Sequence, residues 1–163
     1  MAIPAVAATV LESWSDFYGH HQVVSVTVRY LHLAGILVGG GTALVADRRT
    51  LGAARADEAE RARHGVDLAA AHRVVVPALA VVAATGLLMV ASDTDTFFNS
   101  RLYWSKMGLV GLLLLNGFGL RAAGRAIAGE RPKGWRWLGL TSAASLVLWL
   151  TILFFGVWLT VAA

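Results

Sequence analysis

LGLTSAASLVLWLTILFFGVWLTVA, residues 138–162, runs for 25 positions without a charged side chain. As a helix rising about 1.5 Å per residue it would span roughly 37 Å, more than the roughly 30 Å hydrocarbon core of a bilayer. Apolar residues surround its axis, whereas a soluble helix needs only one apolar face. In lipid only helices and closed barrels satisfy their backbone groups. The run is too long and alternates too little for a barrel strand, so it reads as a transmembrane helix.

Three further runs share this character. One covers about 102–123 and holds Lys106 and Asn116. Another covers about 70–91, with His72 at its entrance and continuous apolar sequence from Val74. The first covers about 23–46, with Arg29 and His32 in its opening turns. The expected fold is therefore all-α: one integral membrane domain over 1–163, a bundle of four helices. Composition agrees, with 57% hydrophobic and 15% charged residues, against roughly 25% charged in soluble domains. Without cysteine, disulfides, thiolate metal sites and thiol catalysis are excluded.

The remaining segments connect or flank these runs. In residues 5–18, Val6, Val10, Leu11, Trp14, Phe17 and Tyr18 recur at helical spacing with Glu12, Ser13 and Asp16 between them. This pattern predicts an amphipathic helix in the membrane interface, ended by Gly19. No basic n-region precedes it, so it does not read as a cleaved signal peptide. Residues 47–67, rich in Ala, Arg and Glu, read as a loop that extends helices one and two beyond the lipid. Residues 93–100 read as a tight loop dipping Phe97 and Phe98 into the interface. Arg131, Pro132, Lys133 and Gly134 mark the last turn.

Arginine placement predicts orientation. Arg48, Arg49, Arg55, Arg61 and Arg63 lie in the first loop, and Arg121, Arg125, Arg131, Lys133 and Arg136 in the third. The positive-inside rule puts these loops in the cytoplasm and both termini outside, as for a multi-pass protein of a bacterial inner membrane. The sequence pI of about 10.1 thus reflects topology rather than nucleic-acid binding. There is no P-loop or dinucleotide-binding glycine pattern.

His32 is the most informative residue. An ionisable group inside a membrane helix is costly and usually functional. Ser25, Arg29, His32, Gly35 and Gly39 follow steps of three or four and share a face. Gly35 and Gly39 form a GxxxG, which either lets a neighbouring helix approach or leaves bare backbone for a haem edge. Arg29 can pair with a haem propionate or snorkel to lipid phosphate. Lys106 opens the third helix at the same end, with the same two options. His72 lies at the opposite end. By helix rise the two histidines differ in depth by something like 16 Å in a core about 30 Å thick, too far for one iron; His72 then belongs to the interface or to a second site. His20 and His21 precede the first span, and His64 reads as a solvated loop residue. Asn116 is placed to bond a partner helix or line a cavity.

The pattern His32–Gly35, Gly39–Gly40 and Asp47-Arg48-Arg49-Thr50-Leu51-Gly52 resembles bacterial four-helix membrane families with an HxxG…DxRxLG-like first helix. Pro77 with Thr85-Gly86-Leu87-Leu88 resembles their second helix, and residues 99–107 resemble the entrance of their third. The layout is that of the membrane-bound, haem-containing protoporphyrinogen oxidases and of CopD-type copper-resistance proteins, over most of residues 25–160. The resemblance implies roles in haem binding or activity for His32 and Lys106. The chain departs from the oxidases where they carry histidines, near Asp47-Arg48-Arg49 and near Asn116. It departs from CopD-type proteins in having few methionines.

The expected function is a b-type haem-binding membrane protein in redox or electron-transfer chemistry; as an enzyme, it would be a membrane oxidoreductase. His32 is expected to ligate iron, with Arg29, Lys106, Gly35 and Gly39 around the cofactor and His72 as a further candidate ligand. Quinone or a porphyrin-like molecule is the expected partner beside the lipid bilayer, and a homo-oligomer, most simply a dimer, the expected assembly. The alternatives are a non-catalytic anchor or oligomerisation subunit, or a small metal- or solute-handling protein.

Overall fold

A computed structural model describes residues 5–53, 58–128 and 134–162, and the side chains of 58–67 lie outside that description. All regular structure in these residues is helical. In chain order, α1 is Ala5–His20, α2 Gln22–Gly35, α3 Gly41–Ala53, α4 Glu58–Ser92, α5 Thr94–Asn99, α6 Arg101–Ala128 and α7 Gly134–Ala162. A π-helical turn, Ile36–Gly40, joins α2 to α3 without a break. Among the described residues four stretches are long and apolar enough to cross a membrane: Gln22–Ala53, Leu68–Ser92, Arg101–Ile127 and Gly134–Val161. The protein is an all-α, multi-pass membrane bundle.

The four spans pack as two pairs. The first span lies along α4, and α6 lies along α7. The pairs join through α3, which packs on α7 as well as on α4. Among the described residues α2 contacts α6 and α7 at most marginally. The pairs are therefore knit together at the end that carries Ala53 and Gly134, and diverge at the end that carries α1 and α5.

The π-helical turn explains this geometry. Buried positions on the first span run Val28, Gly35 and Gly39, then Gly40, Ala43, Asp47, Thr50 and Ala53. The single step from Gly39 to Gly40 marks where one extra residue enters the turn. Each helical residue adds about 100° of rotation, so the insertion carries the buried stripe from α4 towards α7. Gly39 meets Ala78 of α4, while Gly40 meets the Trp149 ring of α7. Trp149 anchors a core with Ala43 and Leu113, packed by Leu44, Val75, Leu79, Leu148 and Ile152. Leu120, Ala123 and Leu138 close the far end.

Several local expectations change. The first span continues past Ala46 to Ala53, as the expected extension of helix one does, but Asp47, Thr50 and Ala53 are buried against the bundle. Residues 93–100 hold a short helix rather than a loop: Asp93 caps α5 by accepting from the Thr96 N–H at 3.2 Å. Gly19 lies inside α1, which stops at His20. The amphipathic α1 is docked rather than free, with Trp14 Nε1 donating to the Leu88 carbonyl at 2.9 Å and Ser15 Oγ to that of Ser92 at 2.7 Å. Arg55, Arg131, Lys133 and the side chains of Arg61, Arg63 and His64 lie outside the described residues.

Candidate functional site

His32 faces α4 and is half-buried. Its Nδ1 lies 3.0 Å from the Val82 carbonyl and 3.0 Å from Thr85 Oγ1. A carbonyl can only accept, so Nδ1 carries the hydrogen and donates to both. The Thr85 hydroxyl donates in turn to the Val81 carbonyl at 2.7 Å, which leaves its oxygen free to accept. This fixes the tautomer: Nε2 keeps its lone pair, and no described group bonds it. A histidine whose Nδ1–H is held by a backbone carbonyl is oriented as metal-ligating histidines are. The ring also rests on Gly86, where a Cβ would stand 3.3 Å from His32 Cε1.

Lys106 comes to the same level from the other helix pair. It is half-buried rather than extended to the interface. Its Nζ lies 3.7 Å from the point a Cβ would occupy at Gly156 of α7, and it is within electrostatic reach of His32. Residues from all four spans thus share this level: His32, Thr85 and Gly86, Lys106 and Gly156. An imidazole lone pair and an ammonium lie within electrostatic reach of each other, a combination suited to a ligand with an acidic group. The α1 anchor at Leu88 lies two to six residues beyond the His32 contacts at Gly86 and Val82, about 3–9 Å along α4.

The other expected site residues are placed differently. Gly35 and Gly39 do not face open space. A Cβ at Gly35 would meet Val82 Cγ2 at 2.8 Å, and one at Gly39 would meet Ala78 Cβ at 2.8 Å. They serve close helix contact. Arg29 is exposed on α2. His72 Nδ1–H donates to the Leu68 carbonyl at 3.1 Å, ten residues before Val82 on α4, so about 15 Å separates the two histidines along the axis. Among the described residues no three His, Cys, Asp or Glu side chains cluster as a metal site. Asn116 bonds its partner helix, Nδ2 donating to the Thr141 carbonyl at 2.8 Å. His20 and His21 bond the carbonyls of Asp16 and Phe17 at the α1 end.

Sequence reasoning missed Thr85, Gly86 and Gly156 as parts of this level. A signal existed. Thr85 lies seven residues before the end of its span, His32 ten after the start of the first and Gly156 six before the end of α7. In antiparallel helices such positions share a depth.

Residues 9–162 match the model of a family of unknown function (DUF6644). The chain belongs to that family. Neither a curated protein nor a solved structure gives a match. The match takes in α1 from Thr9 and all four spans, so the docked α1 and the His32–Lys106 level both lie within the DUF6644 region.

Proposed function

We propose that this protein is a b-type haem-binding membrane protein engaged in redox or electron-transfer chemistry, with His32 as the axial ligand. The observation that carries the reading is the His32 imidazole: its Nδ1–H is fixed on Val82 and Thr85, and its Nε2 is free. Neutral imidazole is a good iron ligand. The donor set fits one histidine ligand, with the Lys106 ammonium placed for a propionate or the porphyrin edge. The glycine surface expected to receive the macrocycle is covered by α4, so the macrocycle would lie between α2 and the α6–α7 pair, which touch at most marginally among the described residues. Haem supplies one-electron transfer when bound. Around it Val82 and Thr85 would hold the tautomer and orientation of His32, Lys106 would supply positive charge, and α1 would cover the level from water. Quinone or a porphyrin-like molecule is the electron partner that suits a lipid-facing opening, which makes any activity that of a membrane oxidoreductase.

The arginine-rich ends of α3, α4, α6 and α7 face the cytoplasm in this reading, both termini face outward, and the membrane is a bacterial inner membrane. Association of two copies is part of the proposal, as two-fold assemblies are the commonest.

The close contacts of Gly35 and Gly39 with α4 favour a second reading, a non-catalytic membrane subunit in which His32 only ties two helices together. Mutant spectra of protein purified with haem supplied during expression separate the two. His32→Ala should lose the Soret band while His72→Ala and His64→Ala keep it. Equal spectra in all three variants would remove His32 as the ligand.

A further inference from the structure

We propose that the groove between α3 and α4 binds an anionic phospholipid, with one acyl chain along its apolar lining and the phosphate on Arg49. The site shares no residue with the haem reading and stands or falls without it. The groove has a volume of about 510 Å3, and its lining includes Gly41, Val45 and Arg49 of α3 and Leu68, Ala71 and Val74 of α4. That volume is in the range of small-molecule sites, roughly 300–1,000 Å3.

The groove follows from the way α3 turns towards α7. Two residues rotate a helix by about 200°, so the buried Ala43 and Asp47 point away from Gly41, Val45 and Arg49. The face they leave lies along α4 without filling the space beside it. Gly41 brings no side chain, and a Cβ there would meet nothing within 4 Å. Gly41 lies eight residues from Arg49, about 12 Å deeper along the axis. The result is an apolar channel inside the membrane with a guanidinium at its polar end.

That arrangement has the chemistry of a phospholipid. An apolar groove in a transmembrane bundle suits an acyl chain, and basic pockets between such helices take anionic headgroups. A guanidinium matches phosphate oxygens with two parallel N–H bonds, and its five donors allow it to hold a phosphate beside another partner. Arg48, next to Arg49, and Arg73, next to Val74, are also exposed. Asp47, the acidic side chain described at this end, is buried on the opposite side of α3. Three arginines favour a headgroup of net negative charge over one whose phosphate is balanced by a choline ammonium.

Native mass spectrometry of the full chain in mild detergent, titrated with phosphatidylglycerol or phosphatidylcholine of the same acyl chains, tests this. The wild type should hold phosphatidylglycerol about fivefold more tightly or better, the effect of one arginine near an anionic surface. Arg49→Gln should remove the preference. Arg125→Gln, which deletes the same charge from α6 at the same end, should keep it. Gly41→Leu should weaken binding of both lipids, because leucine occupies the path of the acyl chain. Arg49 is exposed, so Arg49→Gln leaves the packing intact and tests the proposal alone should Gly41→Leu not fold. Equal affinity of the wild type for the two lipids, a preference unchanged by Arg49→Gln or lost equally in Arg125→Gln, or unaltered lipid binding by a folded Gly41→Leu overturns the proposal.

Discussion

Gly39→Ala should separate the first span from α4. A Cβ there would lie 2.8 Å from Ala78 Cβ, whereas carbon atoms rest about 3.5–4.0 Å apart. The gap must therefore open by roughly 0.7–1.2 Å. Ala78 has no rotamer to change, so the helices themselves must move. Overpacking of this kind costs about 1–3 kcal/mol. Alanine also favours helix over glycine by up to about 1 kcal/mol, which offsets part of the loss. Gly111→Ala isolates the second effect, because nothing lies within 4 Å of a Cβ at Gly111. The difference between the two variants should thus be about 1–3 kcal/mol, with Gly39→Ala the less stable. It is measurable from unfolding midpoints in mixed detergent–SDS micelles. Ala78→Gly removes the opposing methyl and should recover most of the difference, a coupling expected only of residues in contact. Equal stability of Gly39→Ala and Gly111→Ala, or no recovery with Ala78→Gly, would refute the close packing of the two helices. The same movement would carry Val82 away from His32, where the bond is now 3.0 Å.

Asn116→Val should cost about 0.6 kcal/mol, the average for an interhelical hydrogen bond in a membrane, since it removes the Nδ2 donor to the Thr141 carbonyl; an unchanged midpoint would place Asn116 off the α6–α7 contact. Arg55→Cys, in a chain otherwise without cysteine, should resist an impermeant thiol reagent in intact cells and react after lysis. Labelling in intact cells would reverse the orientation. In mild detergent and in nanodiscs the protein should run as a dimer, and a monomer in both would count against self-association.

The spans were legible because lipid imposes a coarse rule: charge-free runs of about 20 residues admit one interpretation. His32 stood out for the same reason, as a costly polar group in such a run. Asp47 did not, because it directly precedes Arg48 and Arg49 and shares their polarity. Only the packing of α3 on α7 separates the buried carboxylate from the exposed arginines. The π-helical turn leaves no mark in the sequence beyond Gly39, Gly40 and Gly41, which equally suit close packing. Lys106 was ambiguous for a different reason. A flexible side chain near a helix end reaches the interface or the interior equally well, and it is the bare backbone of Gly156 that admits it inward.

An optical spectrum of the wild-type protein, purified in mild detergent after expression with haem supplied, tests the central claim most directly. The account predicts a Soret band and, after reduction, the α and β bands of a b-type centre, whereas a protein that stays colourless under these conditions would contradict it.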